Sequence, residues 1–479
     1  MSSTAEEVVR PACLIGGREE AGPARFPVSY PYTGETVGEA PLLSLETVRR
    51  ALDLAAAATV RLDRHERGSV LGRVADRIER ETDPLARLIT LESGLCLAET
   101  RHETERACDV LRLAAHAALV DDGEAFAFDV SVHGRPRRGY TLREPVRLVA
   151  AITPFNHPLN QVAHKLAPAI AAAAPIVLKP SEKTPLTALW LARAILEEGY
   201  PPDALAVVTG DRAEILDELL GHEAVEVVSF TGGVAVGKLI AARLGYRRAV
   251  LELGGNDPLL VLRDADVERA ATLAVAGATR NSGQRCTAVK RVIVEEPLAD
   301  ELAVAVTELA ARIRVGDPLD TTTDLGTLID EPAAELVEQR VRDAVAAGAI
   351  LLAGGGRRGA QLVPPVLDHV RPEHELVREE TFGPAVPLLR VGDLDQALTV
   401  ANGTAYGLSA GVVTNDLAAA TRCIRELRCG TVNVDEMPGV RTEATPFGGV
   451  KDSGLGIKEG VVEAMRGLTN VKLFTLPWP

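Results

Sequence analysis

One cysteine stands in a polar, glycine-containing segment of the chain. Residues 281–287 read Asn-Ser-Gly-Gln-Arg-Cys-Thr, between an alanine-rich segment and the β-branched residues 292–294. A structural cysteine more usually lies inside an apolar periodic segment. Arg285 beside Cys286, with Lys290 and Arg291 downstream, predicts cationic surroundings that favour the nucleophilic thiolate. Because most loop cysteines with a basic neighbour are not catalytic, the rest of the chain decides the interpretation.

Two other side chains suit chemistry at a carbonyl group. Glu252 lies in Leu-Glu-Leu-Gly-Gly (251–255). It is either an acid at a strand end that is paired with a basic residue, or a general base. Asn156 follows Pro154-Phe155 ahead of a helical segment, where its amide caps the helix or donates to an oxyanion. With Cys286 as the nucleophile, these residues fit attack of a thiolate on a carbonyl carbon.

A second group of residues is typical of nucleotide binding. Phe-Thr-Gly-Gly (230–233) with Gly237 resembles a phosphate-approach turn before a helix, although it departs from the standard dinucleotide fingerprint. Lys179 and Glu182 lie at a predicted strand end, where they hold a ribose or form an exposed ion pair.

Composition restricts the class of protein. A chain of 479 residues predicts two or three structural units, and a net charge of −15 argues against nucleic acid or an anionic membrane as partner. Local cations still permit a small anionic substrate. The six cysteines have no metal or disulfide spacing. The N-terminus lacks a secretory pattern, and the longest apolar stretch (166–178) contains two prolines, so we expect a cytoplasmic protein without a membrane span or metal.

The periodicity predicts an α/β fold. Residues 44–118 are helical, with breaks at 83–84 and 93–94, and 121–147 form a hairpin or ribbon. Strands at 148–152, 175–178, 206–208 and 227–230 alternate with helices at 161–174, 187–198 and 236–244, which predicts a parallel sheet. Ligands bind at the carboxyl ends of such strands, here at 153–156, 179–182 and 231–233. A second α/β series covers 256–440. The tail from 469 predicts a strand with no partner nearby, available to another subunit.

Seven motifs occur in a characteristic order along the chain. They are Pro-Phe-Asn (154–156), Lys-Pro-Ser-Glu (179–182), Phe-Thr-Gly (230–232), Glu-Leu-Gly-Gly (252–255), Gly-Gln-Arg-Cys (283–286), Glu-Glu-Thr-Phe-Gly-Pro (379–384) and Pro-Phe-Gly-Gly (446–449). This series resembles the NAD(P)-dependent aldehyde dehydrogenase superfamily over essentially the whole chain. The resemblance implies a Rossmann-type cofactor domain (1–122 and 146–254), an α/β catalytic domain (255–442), a β oligomerisation element (123–145 and 463–479) and a return segment (443–462).

The resemblance also implies roles for individual residues. Cys286 attacks the aldehyde, Asn156 stabilises the oxyanion, and Glu252 activates the water that releases the carboxylate. The residues implied at the cofactor are Thr153, Pro154, Phe155, Lys179, Ser181, Glu182, Phe230, Thr231, Gly232, Gly233, Gly237, Leu253, Gly254, Glu380 and Phe382. The Glu182 carboxylate favours NAD over NADP because it repels a 2′-phosphate. Gly233 and Asn256 depart from the residues that many members carry.

Cationic groups near the nucleophile predict an anionic substrate. The candidate substrate-binding residues are Arg106, His157, Arg285 and Lys290, together with the Thr287 hydroxyl. The alternative is that the basic residues form a solvated face. Segments 153–161, 252–259, 276–291 and 458–465 and the Leu-Pro-Trp-Pro ending resemble the phosphonoacetaldehyde dehydrogenase branch, in which Asn256 is a branch trait. The implied reaction is NAD-dependent oxidation of phosphonoacetaldehyde to phosphonoacetate by a homodimer or homotetramer.

Other functions stay open from sequence. The substrate is alternatively a shorter phosphono-aldehyde such as phosphonoformaldehyde, or another small anionic aldehyde such as succinate semialdehyde or a phosphorylated sugar aldehyde. Transfer of the acyl group to coenzyme A is a further possibility, which Glu252 as a base for water disfavours. A purely structural use of the scaffold has no need for Cys286, Asn156 and Glu252 together.

Overall fold

The N-terminal part of the chain contains two β-hairpins and four helices. The computed structural model describes residues 8–120, 123–456 and 459–478. The elements are Cys13–Ile15 (β1), Arg18–Glu20 (β2), Ala24–Ser29 (β3), Thr36–Leu42 (β4), Leu45–Ala57 (α1), Arg64–Arg80 (α2), Thr82–Ser93 (α3) and Leu97–Val120 (α4). Asp63 and Glu66 form a capping box that starts α2. Gly94, with a left-handed φ of 76°, ends α3 at the predicted break. The other break falls slightly earlier than predicted, at Glu81, because Pro84 is tolerated in the first turn of α3.

A parallel five-stranded sheet follows a hairpin of two strands, Ala125–Ala127 (β5) and Arg137–Pro145 (β6). Its elements are Val149–Ile152 (β7), Asn160–Ala172 (α5), Ile176–Lys179 (β8), Leu186–Glu197 (α6), Leu205–Val207 (β9), Arg212–Gly221 (α7), Val227–Thr231 (β10), Val234–Arg243 (α8) and Arg248–Glu252 (β11). The strand order is β11-β10-β7-β8-β9. Helix α5 ends before the predicted boundary because Ala173 is left-handed, with φ 61°.

A larger sheet of seven strands forms the second half of the chain. Its elements are Asp257–Val261 (β12), Val267–Thr279 (α9), Val289–Glu295 (β13), Glu296–Ala310 (α10), Glu331–Ala346 (α11), Ile350–Ala353 (β14), Arg357–Arg358 (β15), Gln361–Leu362 (β16), Val366–Asp368 (β17), Glu375–Arg378 (α12), Val386–Val391 (β18), Leu394–Asn402 (α13), Ser409–Val413 (β19), Leu417–Glu426 (α14) and Thr431–Val434 (β20). The order is β14-β17-β18-β13-β12-β19-β20, antiparallel at β14–β17. Alternate residues of β12 pack into separate cores on the two faces.

The C-terminal strand pairs within its own chain. Helix Val461–Gly467 (α15) leads into Thr469–Pro477 (β21), which is antiparallel to β6 over its whole length, in a sheet of order β21-β6-β5. The expectation that the tail lacks a nearby partner is therefore wrong, because the hairpin is brought to it from far away in the sequence. The outer edge of β21 stays open among the described residues, and Val471 and Leu473 are exposed there.

The α/β fold class is confirmed, and its sheets fall within the ranges predicted for the separate domains; the boundaries themselves stay a prediction. Strands β7, β8, β10 and β11 run parallel, so their carboxyl ends meet at one edge of the first sheet. Among the described residues, no helix is both long and apolar enough to cross a membrane. No three His, Cys, Asp or Glu side chains in the described ranges gather as a metal site.

Candidate active site

A cavity of about 440 Å³ lies at these carboxyl ends and extends to the second sheet. The predicted residues that line it are Thr153, Pro154, Phe155, Asn156, Lys179, Ser181, Glu182, Phe230, Thr231, Gly232, Gly233, Glu252, Leu253, Gly254, Cys286, Glu380 and Phe382. Gly237 lies outside this lining, within α8. A Cβ at Gly237 would come 2.4 Å from the Leu253 side chain, so this glycine allows α8 to pack against the chain that follows Glu252.

At one end of the cavity, a carboxylate lies between two cations. Lys179 Nζ is 3.0 Å from Glu182 Oε2, and Arg212 Nη1 is 3.7 Å from Glu182 Oε1. Burial opposes ionisation of Glu182, but the charges of Lys179 and Arg212 and the hydrogen bonds to the carboxylate together outweigh it and lower the pKa of the carboxyl. Glu182 is therefore ionised, and its carboxylate can accept hydrogen bonds from hydroxyl groups. Arg212, at the start of α7, was not predicted because nothing in its sequence context distinguishes it from a surface arginine.

The middle of the cavity holds the start of helix α8. Gly233 precedes its first turn, and no atom lies within 4 Å of the position where a Cβ would stand. Free N–H groups at a helix start bind phosphate well. With the Lys179–Glu182 pair on one side, this arrangement fits the pyrophosphate and ribose of a nicotinamide dinucleotide.

The other end of the cavity has room for the flat ring of a ligand, next to two phenylalanine rings and a carboxylate of the protein. The rings of Phe155 and Phe382 meet edge to face, with centroids 5.9 Å apart. Glu380 Oε1 accepts a hydrogen bond of 3.0 Å from the Gly255 amide, and Glu380 Oε2 would lie only 2.2 Å from a Cβ at Gly254. A side chain at Gly254 would therefore displace Glu380, one of the residues predicted at the cofactor.

The loop that carries the nucleophile has an unusual backbone. Asn281, Ser282 and Gly283 are all left-handed, with φ of 57°, 53° and 69°. Such residues persist only where the surroundings hold them. Asn281 Nδ2 donates to the Asn156 carbonyl at 2.9 Å, and Gln284 Oε1 accepts from the amide of Ile329 at 2.9 Å. The loop is thereby fixed to both halves of the molecule.

Asn156 is bound to the same loop. Its Nδ2 donates to the Gln284 carbonyl at 2.8 Å, and both Asn156 and Cys286 line the cavity. An amide nitrogen carries two N–H groups, so the second one can donate to an oxygen at the reacting carbon. The geometry thus brings the predicted oxyanion donor next to the nucleophile's segment.

The thiol of Cys286 is less acidic than the sequence predicts. Desolvation raises its pKa to about 11; the charge of Lys290 opposes this, whereas Asp257, Glu380 and Glu252 add to it. The expectation that cationic neighbours favour the thiolate is wrong for the protein alone, because burial and three carboxylates outweigh the cation.

The two downstream cations are fixed elsewhere. Lys290 Nζ donates to the carbonyls of Arg285 and Cys286 at 2.7 and 2.8 Å and lies 3.6 Å from Glu380 Oε1. Arg291 is buried against the carbonyls of Asn256, Val400 and Ala401. The Lys290 ammonium therefore holds the carbonyls of the nucleophile loop, and its predicted contact with substrate stays a prediction. Asn256 also donates to the Val377 carbonyl, so its contacts are structural.

Glu252 ends strand β11 next to a buried cation that the sequence analysis missed. Glu252 is 4% exposed and lines the cavity. Lys165, on α5, is ion-paired with Glu459, and its pKa falls to about 7 through burial, against the opposing charge of Glu252. Adjacent His164 and Lys165 in an otherwise apolar helix were the sequence signal that could have revealed this group.

The remaining predicted residues lie on the side of Cys286 formed by helix α4. Arg106 Nε is 2.6 Å from Glu443 Oε1, and His157 Nδ1 is 3.6 Å from Glu103 Oε2. The Arg285 guanidinium donates to the Thr287 hydroxyl at 3.3 Å. The roles of these four residues at the substrate stay a prediction.

A third arginine joins this group. Arg441 is largely shielded from solvent, with its side chain 11% exposed, and its charge interacts with Arg106, Glu443, Glu252 and Cys286. Arg285 likewise interacts with Arg106 and Cys286. Arg441 was missed because it lies in the irregular segment between β20 and α15, where sequence gives no periodic pattern. We define Arg106, Arg285 and Arg441 as the arginine cluster.

Comparison with known proteins identifies the family. The model of the aldehyde dehydrogenase family matches residues 18–474. The chain belongs to the aldehyde dehydrogenase family. It is 37% identical over 463 residues to a 3-sulfolactaldehyde dehydrogenase of Priestia aryabhattai, covering 96% of this chain and 97% of the relative. Among the 8 curated relatives described, none is named a phosphonoacetaldehyde dehydrogenase.

Solved structures agree with this assignment. The succinate-semialdehyde dehydrogenase of Burkholderia pseudomallei superimposes with a TM-score of 0.95 at 34% identity, covering 100% of both chains. The NADP-dependent glyceraldehyde-3-phosphate dehydrogenase of Bacillus halodurans C-125, solved with NADP, has a TM-score of 0.95 at 34% identity and covers 98% of this chain and 100% of that one. The protein is thus an NAD(P)-dependent oxidoreductase that acts on aldehydes.

Proposed function

We propose that this aldehyde dehydrogenase oxidises a small phosphono-aldehyde, with phosphonoacetaldehyde converted to phosphonoacetate as the first choice. The observation that carries the proposal is the arginine cluster beside Cys286. Burial lowers the pKa of both Arg285 and Arg441, and Arg106 lowers each further. Gathered like charges are costly unless an anion binds among them. Guanidinium groups suit the oxygens of a phosphonate because each offers paired N–H donors.

The balance of charge favours an anionic tail. Glu443 offsets one of the three positive charges of the arginine cluster and Glu252 acts on Arg441, while the charges of Glu99 and Arg280 on Arg285 oppose each other, so the group stays net positive. A phosphonate approaches two negative charges near neutral pH, as phosphate esters do. A carboxylate or a sulfonate carries one. The same pocket would accept phosphonoformaldehyde, one carbon shorter, as the alternative.

A sulfonated aldehyde is the second candidate. The relative of Priestia aryabhattai is named 3-sulfolactaldehyde dehydrogenase, and its likeness spans nearly the whole chain. A sulfonate has three oxygens in the same tetrahedral arrangement as a phosphonate. The difference in charge separates the two candidates experimentally.

The catalytic sequence follows from the residues of this chain. The Cys286 thiol gives its proton to water, its Sγ bonds to the aldehyde carbon, and the second N–H of Asn156 donates to the resulting oxyanion. A nicotinamide dinucleotide held by the residues that line the cavity would supply the acceptor for the hydride of that carbon. The product is a thioester on Cys286. Glu252 then takes a proton from water, which attacks the thioester carbon and releases the carboxylate and the thiol. This role of Glu252 supports hydrolysis over transfer to coenzyme A.

We also infer a preference for NAD and a homo-oligomeric assembly. The ionised Glu182, which repels a 2′-phosphate, supports the cofactor preference. The open edge of β21, with exposed apolar side chains, supports a homodimer or homotetramer.

The test is NADH formation with a panel of four aldehydes: phosphonoacetaldehyde, 3-sulfolactaldehyde, succinate semialdehyde and propanal. We expect kcat/KM for phosphonoacetaldehyde to exceed that for propanal by roughly 100-fold, which corresponds to about 2.8 kcal/mol. The KM for phosphonoacetaldehyde should fall between pH 5.5 and 8, because the phosphonate loses its second proton in this range. The KM for 3-sulfolactaldehyde should not change in this way. Preference for propanal would refute the anionic-substrate assignment. Preference for 3-sulfolactaldehyde would select the second candidate.

A further inference from the structure

One buried carboxylate joins two members of the arginine cluster. Glu443 Oε1 accepts from Arg106 Nε at 2.6 Å, and Glu443 Oε2 lies 3.4 Å from Arg441 Nη1. His164 Nε2 is 2.7 Å from the same Oε2 atom. The side chain of Glu443 is only 7% exposed, so this contact is shielded from solvent.

The charge states of the group follow from its contacts. Burial raises the pKa of Glu443, but the hydrogen bond from His164 and the charges of Arg106 and Arg441 outweigh it, so the pKa falls well below its usual range. Burial lowers the pKa of His164 to about 4, so the ring is neutral near pH 7. Neutral His164 therefore donates its Nε2–H to an ionised Glu443.

We propose that Glu443 is a positioning residue that holds the guanidinium groups of Arg106 and Arg441 in the orientation needed to bind the anionic tail of the substrate. The inference rests on the proposed function and deepens it. Arginine side chains have several rotatable bonds, so an arginine without a fixed partner loses entropy on binding. A carboxylate that already orders two of them makes the site preorganised. His164 fixes the carboxylate from the side of α5.

A merely electrostatic role of Glu443 predicts the opposite result. The negative charge of Glu443 weakens the positive potential of the arginine cluster. If charge alone mattered, Glu443→Gln would tighten anion binding. If positioning dominates, Glu443→Gln loosens Arg106 and Arg441 and weakens anion binding despite the more positive site. The sign of the change separates the two roles.

The experiment measures KM and kcat of the full-length enzyme for phosphonoacetaldehyde and propanal, and the inhibition constant of inorganic phosphate against propanal. For Glu443→Gln we expect KM for phosphonoacetaldehyde and the phosphate constant each to rise about tenfold. We expect kcat for phosphonoacetaldehyde and kcat/KM for propanal to stay within about twofold. His164→Gln, which keeps a donor, should give a smaller rise. Glu426→Gln is the matched control, because Glu426 pairs with Arg422 on the exposed face of α14.

Each outcome bears on a separate claim. An unchanged or lower KM for phosphonoacetaldehyde and inhibition constant of phosphate in Glu443→Gln would overturn the positioning role. Equal losses of kcat/KM for both aldehydes would overturn it too, as would the absence of competition by phosphate in the parent enzyme. If the parent enzyme does not oxidise phosphonoacetaldehyde but the inhibition constant of phosphate still rises in Glu443→Gln, the positioning role stands and the substrate assignment fails. A circular dichroism spectrum and melting curve matched to the parent exclude misfolding, and Glu443→Asp, which keeps the charge, should recover part of the affinity.

Discussion

Replacing Arg285 by methionine should weaken substrate binding and stabilise the protein at the same time. Arg285 is the member of the arginine cluster that forms no ion pair among the described residues; its guanidinium donates only to the Thr287 hydroxyl. Burial disfavours its charge and so lowers its pKa, while Glu99 and Cys286 oppose that effect and Arg106 and Arg280 add to it. Methionine has a similar length and no charge. The substitution therefore removes a charge whose desolvation is costly in the free enzyme, and with it a donor that an anionic substrate requires.

The expected magnitudes follow from these contacts. A hydrogen bond to a charged group contributes about 1.5–3 kcal/mol. Its loss lowers kcat/KM for phosphonoacetaldehyde by about 10- to 150-fold. Removal of a desolvated charge should raise the free energy of unfolding by about 1 kcal/mol, and the melting temperature by about 2 °C or less. Such opposition of stability and activity is typical of functional sites.

The assay combines steady-state kinetics on phosphonoacetaldehyde and propanal with a melting curve of the cofactor-free enzyme. Propanal corrects for any disturbance of the neighbouring Cys286, and Arg285→Lys tests whether the planar guanidinium matters beyond its charge. Arg422→Met is the control, because Arg422 is exposed and paired with Asp395 and Glu426. Equal losses for the two aldehydes, or a clear fall in melting temperature, would refute the reasoning.

Two further predictions concern the nucleophile and the cofactor. Because the pKa of Cys286 is raised to about 11, its alkylation by iodoacetamide in the cofactor-free enzyme should accelerate about tenfold per pH unit from pH 7 to 10; a plateau below pH 9, measured by mass spectrometry, would contradict this. Glu182→Gln removes the anion between Lys179 and Arg212, so kcat/KM for NADP should rise about tenfold relative to NAD. An unchanged ratio of the two cofactors would show that Glu182 does not set the preference.

The local sequence pattern was sufficient to predict most strands of the five-stranded sheet. The predicted strand at 227–230 matches β10 (Val227–Thr231), because β-branched residues between turn signals have few other conformations. Pairing over long sequence distances could not be inferred. Strand β21 lies against β6, with Thr469 opposite Pro145, and nothing in either segment specifies the other. The tail strand was predicted, but its partner was not.

Within the site, the motifs identified the residues that line the cavity. They did not predict the charges around these residues or the pKa of the thiol. Arg285, Cys286 and Lys290 are close in sequence, which favoured a common role. The backbone instead turns Lys290 onto the carbonyls beneath the loop and encloses the thiol with carboxylates such as Asp257. Proximity in sequence does not determine which groups are desolvated, and desolvation decides the pKa of a buried thiol.

The same distinction explains why the substrate side was only half predicted. Arg106 was recognised by its place on α4, whereas Arg441 and Glu443 lie in an irregular segment that reaches the site only in the folded chain. Glu443 contacts α4 through Arg106 and α5 through His164, so one carboxylate connects two helices and the segment before α15. A buried acid with three cationic or hydrogen-bonding partners contributes little net stability after desolvation. Its retention at the edge of the arginine cluster is therefore better explained by the orientation it imposes on the arginines than by the stability it adds.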